Sequence, residues 1–145
     1  MEKRVNIQET LPDVYKAMFG LSAAISKLGL SPINRQLIKV RASQINSCAY
    51  CLNMHTKEAL QAGETQQRLF LLSAWRETDL FNEEEKAVLA LTEEVTLINQ
   101  AGVSDKTYKD AEKFFSAEEI STIIMSIVLI NSWNRITVST HKGLD

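Results

Sequence analysis

Asn46-Ser47-Cys48-Ala49-Tyr50-Cys51-Leu52-Asn53-Met54-His55 is the stretch on which both the fold and the chemistry turn. Asn46 and Ser47 break the preceding helical pattern and are residue types that cap helix N-termini, so a helix is expected to start at the cysteines. It should end near Ala62, because Gly63 follows where helix ends favour a left-handed residue. Cys48, Cys51 and His55 are spaced i, i+3 and i+7, which at about 100° per residue places them within an arc of roughly 60° on one helix face. Cys48 then falls in the first turn, where unpaired amides and the helix dipole favour a thiolate. That effect fades by Cys51, for which His55, one turn further on, is placed as the proton acceptor.

Outward from this stretch the sequence reads as helix throughout. Two prolines and five glycines punctuate helices rather than strands. A first helix is expected from Pro12 to Leu28, with Val14, Met18, Leu21, Ile25 and Leu28 at helical spacing and Gly29 closing it. Ser31 caps a second with Pro32 in its first turn, carrying Ile33, Leu37, Val40 and Ile45 inward. A short fourth helix covers Thr65 to Trp75. Asn82 with Glu85 reads as a capping box opening a fifth along Val88, Leu91, Val95 and Ile98, which Gly102 ends. Ser104 caps a short sixth, and Ser116 with Glu119 forms a second capping box before the last helix. The expectation is an all-α bundle of about six to seven helices. From Ile120 to Ile130 the last helix is apolar nearly all round, which implies burial on more than one face, in the bundle centre or against another subunit.

Length and composition fit one domain over residues 1–145, with 45% apolar and 23% charged residues. Sixteen basic and 18 acidic side chains are mixed along the chain, for a net charge of -2, so no basic stripe exists to meet nucleic acid. The polar N-terminus lacks the apolar run of a signal peptide, and no stretch approaches the ~20 apolar residues of a membrane span. A cytoplasmic location is therefore expected, where a close cysteine pair is more often catalytic or metal-binding than structural. Zinc would need further ligands at suitable spacing, and the only other histidine, His141, lies near the C-terminus. Haem attachment would want histidine directly after Cys51, where Leu52 stands, and a thioredoxin-type site would want alternating strands. No metal or cofactor is expected. A thiolate attacks a peroxide oxygen to give a sulfenic acid, and a second thiol nearby converts this to a disulfide before overoxidation. Two cysteines and a histidine base have the parts for that cycle.

The segment Gln36-Leu37-Ile38-Lys39-Val40-Arg41-Ala42-Ser43-Gln44-Ile45-Asn46-Ser47-Cys48-Ala49-Tyr50-Cys51-Leu52-Asn53-Met54-His55 resembles the alkylhydroperoxidase D-like core of the carboxymuconolactone decarboxylase superfamily. The resemblance continues through Thr56-Lys57-Glu58-Ala59, Ser73-Ala74-Trp75-Arg76-Glu77-Thr78 and Asn131-Ser132-Trp133-Asn134-Arg135, most of the chain. It implies an all-α fold, homo-oligomers that are often trimers or hexamers, and hydroperoxide reduction through the CxxC pair, recycled by a dithiol reductant. It further implies that Cys51 takes the sulfenic acid, that Cys48 donates a proton and closes the disulfide, and that His55 is the relay histidine. Two positions depart from the pattern. Gln36 stands where the family has a glutamate, and it can hydrogen-bond but cannot take up a proton at neutral pH. Gln36→Glu is accordingly expected to raise turnover. Tyr50 stands where the family's best-known peroxidase has a histidine.

Tyr50, Trp75 and Trp133 are candidates to line a substrate pocket, although a buried tryptophan more often packs and finds one partner for its N–H. Glu83-Glu84-Glu85 reads as a solvated first turn favoured by the dipole, and Met18, Met54 and Met125 read as core or interface fillers. Two rival functions share these residues: a redox-sensing or assembly protein whose disulfide changes packing, and a lactone decarboxylase of the same superfamily. The CxxC counts against the latter, which has no need of a cysteine pair.

Overall fold

Side chains accept hydrogen bonds from the free amides that open most of the helices of this chain. The computed structural model describes residues 2 and 4–144. Its elements are α1 (Ile7–Thr10), α2 (Pro12–Ser26), α3 (Pro32–Ile45), α4 (Ala49–Gln61), α5 (Gln66–Leu71), a 3-10 segment (Leu72–Glu77), α6 (Glu83–Thr96), α7 (Ile98–Ala101), α8 (Asp105–Glu112) and α9 (Ala117–Thr140). No strand occurs among the described residues, as the sequence predicts. Ser31, Thr65 and Ser104 cap α3, α5 and α8 by accepting from the amides of Asn34, Arg68 and Thr107. Both expected capping boxes are present, Asn82 with Glu85 on α6 and Ser116 with Glu119 on α9. Gly63 follows α4 at φ +103°, a backbone conformation that strains any residue with a Cβ.

Nine α-helices and a 3-10 segment among the described residues replace the expected six to seven helices, and the surplus is single turns and one break. Asn6 caps the extra turn α1. The helix expected from Thr65 to Trp75 breaks because Ala74 leaves helical geometry (φ -116°, ψ 27°) and the chain tightens to 3-10, swinging Trp75 inward. Leu97 (φ -99°, ψ 34°) separates α7 from α6. Glu83-Glu84-Glu85 is not uniformly solvated, since Glu85 is buried and paired to Arg68 and Glu84 accepts from Asn34 (2.8 Å).

α3 is the central helix and packs against α4, α6 and α9. Ile38, Val88, Leu91, Ile123 and Ile127 join α3, α6 and α9 in one apolar cluster. Leu37, Val40, Ala59, Leu72, Phe81 and Leu89 form a second, which fixes α4 and the 3-10 segment on α3. Each such Leu, Ile or Val contributes about 1.5–3 kcal/mol by leaving water. α2 lies along α9, and its C-terminal end and the turn after it are held by the Arg35 guanidinium, which donates to Ile25 O (3.0 Å) in the helix and to Leu28 O and Leu30 O (3.0 Å) beyond it. One face of α9 is buried through Ile120, Ile123, Ile127 and Ile130, whereas Met125, Val128 and Val138 remain exposed.

Candidate active site

Ser47 takes a left-handed conformation (φ 53°) between α3 and α4, so Cys48 itself becomes the N-cap of α4 rather than a residue of its first turn. The cap bond is made by sulfur: the Cys51 amide donates to Cys48 Sγ at 3.3 Å. Asn46, free of that duty, ties the turn to α9 by donating to Asn131 Oδ1 and Asn134 Oδ1, both at 2.9 Å. Asn134 is fully buried and donates to Ser43 Oγ at 3.0 Å. This polar network sets the turn against α9, and with it both cysteines. Cys48 and Cys51 are buried and joined as a disulfide, their Cα atoms 5.3 Å apart. Thr137 of α9 reaches both, its Oγ1 lying 2.9 Å from Cys48 Sγ and 3.3 Å from Cys51 Sγ.

His55 follows Cys51 by one turn of α4 and is buried at 6% exposure. Its Nδ1 lies 2.9 Å from Glu58 Oε2, one turn further along the same helix. The same carboxylate oxygen accepts from Lys39 Nζ (3.3 Å) and Gln36 Nε2 (3.4 Å) on α3. Burial pushes the His55 pKa below 6.5, the Glu58 hydrogen bond works against this, and Lys39 adds to the lowering. Burial would raise the Glu58 carboxyl, but the hydrogen bond with His55 and the charge of Lys39 outweigh it and hold Glu58 below 4.5. A neutral imidazole facing an ionised carboxylate is the outcome at neutral pH.

A cavity of about 320 Å³ opens between α2, α4 and α9. Cys51 and His55 form part of its wall, whereas Cys48 does not. The rest is mainly apolar, with Tyr15 packed edge to face against Phe19 and Trp133 at centroid separations of 5.3 Å and Phe19 tilted against Trp133 at 5.2 Å. Trp133 also donates its indole N–H to Ser22 Oγ at 3.1 Å. Tyr50 stands at the wall with Lys142 Nζ 4.6 Å from its ring centroid.

A family model of carboxymuconolactone decarboxylases matches residues 12–94, the helices that carry the cysteine pair and His55. The chain belongs to the carboxymuconolactone decarboxylase family. Within the family it is an alkylhydroperoxidase D-like protein. The uncharacterized protein YdfG of Bacillus subtilis is 39% identical over 139 residues, 96% of this chain and 95% of YdfG. A crystal structure of a protein of unknown function from Agrobacterium tumefaciens, proposed to be an antioxidant defence protein AhpD, superposes with a TM-score of 0.95 at 37% identity over 99% of both chains. The debrominase Bmp8 shares the fold, with a TM-score of 0.79 at 19% identity, covering 95% of this chain and 74% of its own.

In this alkylhydroperoxidase D-like chain the structure brings Cys48, Cys51, His55 and Gln36 within one neighbourhood, and places Tyr50 and Trp133 on the cavity wall. It does not bring Trp75 there. Trp75 is buried in the second apolar cluster, donates to Glu93 Oε1 at 2.9 Å and is covered by the Arg76 guanidinium. Its spacing could not reveal this, because the break at Ala74 turns it inward. Two residues escaped the sequence reading. Glu58 had a legible signal, a carboxylate three residues after a histidine on one helix face. Thr137 had none, since it meets the cysteines only where α9 folds back on α4.

Proposed function

We propose that this protein is a cysteine-based peroxidase in which Cys51 attacks a hydroperoxide, His55 is the base and Cys48 resolves the product. The observation that carries the reading is that Cys51 and His55 share the cavity wall while Cys48 sits behind it, so a substrate in the cavity meets one sulfur only. In the reduced protein the Cys51 thiol gives its proton to His55. The thiolate then attacks the terminal oxygen of the hydroperoxide, the O–O bond breaks, and the departing alkoxide takes the proton back from His55 and leaves as an alcohol. Cys51 is now a sulfenic acid. The Cys48 sulfur attacks it, hydroxide leaves with the Cys48 proton as water, and the disulfide closes. A dithiol donor restores both thiols by exchange while becoming a disulfide itself. The apolar wall of Tyr15, Phe19, Leu129 and Trp133 favours an organic hydroperoxide over hydrogen peroxide.

The reading extends to a homo-oligomer of three or six copies, which would cover the exposed face of α9, and to work in the cytoplasm. The test is peroxide consumption with a dithiol donor. Cys51→Ser should abolish it, and Cys48→Ser should leave a trappable sulfenic acid that no longer resolves; the reverse pattern would exchange the two roles. Mass spectrometry of the wild type after mild peroxide should show the loss of two hydrogens, and free thiols persisting in the folded protein would sink the reading.

A further inference from the structure

His55 is buried, and Glu58 is the one group among the described residues that hydrogen-bonds its ring, through Nδ1. Because a carboxylate accepts only, Nδ1 carries the proton of the neutral ring and Nε2 keeps the lone pair; the tautomer is assigned from this hydrogen bond. Nε2 is neither bonded nor buried without a partner, and His55 borders the same cavity as Cys51. Glu58 is in turn held by two donors from α3. Gln36 turns its amide nitrogen to the carboxylate, and its Oε1 is thereby left as the only buried side-chain polar atom without a partner among the described residues. Exchanging the two amide atoms would set oxygen against oxygen, so the orientation follows from a charged Glu58. Lys39 completes the clamp.

We propose that Glu58 is the positioning residue of this site: it fixes the His55 tautomer, presents Nε2 to Cys51, and steadies the imidazolium that forms when the Cys51 thiol gives up its proton. The assignment rests on the peroxidase reading for its place in the reaction, and on geometry alone for its effect on His55. When Nε2 takes the proton, the Nδ1–H stays on Glu58 and the positive ring faces a carboxylate, so the imidazolium–thiolate pair forms more readily than beside a neutral group. Glu58 neither gains nor loses a proton. Lys39 acts in the opposite sense, since a cation near the ring opposes a second positive charge. The other titratable groups around the cavity are Arg35, whose guanidinium is engaged by backbone carbonyls, and Tyr15, Tyr50 and Lys142 at its wall.

These opposed signs make the test. Two quantities are read in a Cys48→Ser background under reducing conditions: the His55 ring titration by NMR, and the rate at which iodoacetamide alkylates Cys51 against pH. Neither requires peroxide turnover. Glu58→Gln should lower the His55 pKa and slow alkylation at neutral pH by about tenfold, the loss of thiolate that a rise of about one unit in the Cys51 thiol pKa produces. Lys39→Gln should raise the His55 pKa. Wild-type titration and alkylation in a folded Glu58→Gln protein would overturn the proposal. If Glu58→Gln does not fold, Lys39→Gln decides alone, an unchanged His55 titration counting against it. Opposed shifts in a protein that consumes no hydroperoxide would leave the positioning role standing and remove the peroxidase reading.

Discussion

Cys48 and Cys51 differ in what surrounds them. Cys48 accepts from the Cys51 amide and sits 2.9 Å from the Thr137 hydroxyl, two contacts that stabilise negative charge on its sulfur once it gives up its proton. Cys51 has the longer contact to Thr137, at 3.3 Å, and relies on His55. Thr137→Val should therefore raise the Cys48 thiol pKa by about one unit, since a hydrogen bond to a charged group contributes about 1.5–3 kcal/mol. Ultraviolet thiolate absorbance against pH in a Cys51→Ser background measures it, and an unchanged titration would show that the hydroxyl serves only the α9 backbone. Gln36 also reads differently once its neighbours are known. From the sequence, Gln36→Glu supplies a missing proton acceptor; in the structure, Glu58 already stands 3.4 Å from the Gln36 amide nitrogen. A second carboxylate there would lose the amide donor and repel the first, so that the two share a proton. Turnover at neutral pH is thus expected to stay level or fall in Gln36→Glu, and a severalfold gain would mean that Glu58 does not serve His55.

At the scale of the elements, Glu93 joins three of them. On α6, it accepts from Trp75 Nε1 (2.9 Å) and Arg76 of the 3-10 segment and from Arg41 Nε (2.8 Å) of α3. Burial pushes its carboxyl up, yet the hydrogen bonds from Arg76, Trp75 and Arg41 outweigh this and hold its pKa below 4.5. A carboxyl depressed in the folded state stabilises fully above its unfolded value, and that stability is lost as pH falls through the lower folded value. Glu93→Gln should then cost about 2 kcal/mol at neutral pH and progressively less in acid, read as urea midpoints across pH. A penalty independent of pH would show that shape rather than charge matters at this position. Ser116→Ala, which removes the cap of α9, should cost about 1 kcal/mol at neutral pH.

The whole molecule leaves apolar surface uncovered. Met125 and Val128 on α9 and Val14 and Phe19 on α2 are each at least 40% exposed, and α2 and α9 pack side by side. Large apolar side chains exposed on two adjacent helices suit an interface, and a second copy of the chain is the occupant expected. Light scattering should return a multiple of the 16.3 kDa chain mass, and Met125→Lys combined with Val128→Lys should shift the protein toward the monomer. A wild-type monomer at working concentration would remove this expectation.

Local chemistry made the helices legible in the sequence. Caps at Ser31, Asn82, Ser104 and Ser116 and the left-handed Gly63 act within one turn of themselves, so they could be read without tertiary information. The stripe of Cys48, Cys51 and His55 was legible for the same reason, because one helix face is set by spacing alone. Tertiary structure decided the rest. Cys48 became a cap because Asn46 was drawn to Asn131 and Asn134, residues 85 and 88 positions away. Trp75 went to the core because the break at Ala74 and the Glu93 carboxylate drew it there. Glu58, not Gln36, meets His55, because α4 carries both partners on one face while α3 contributes only donors to the carboxylate. Sequence spacing determines which side chains share a helix face, whereas the packing of one helix on another determines which of them find a partner.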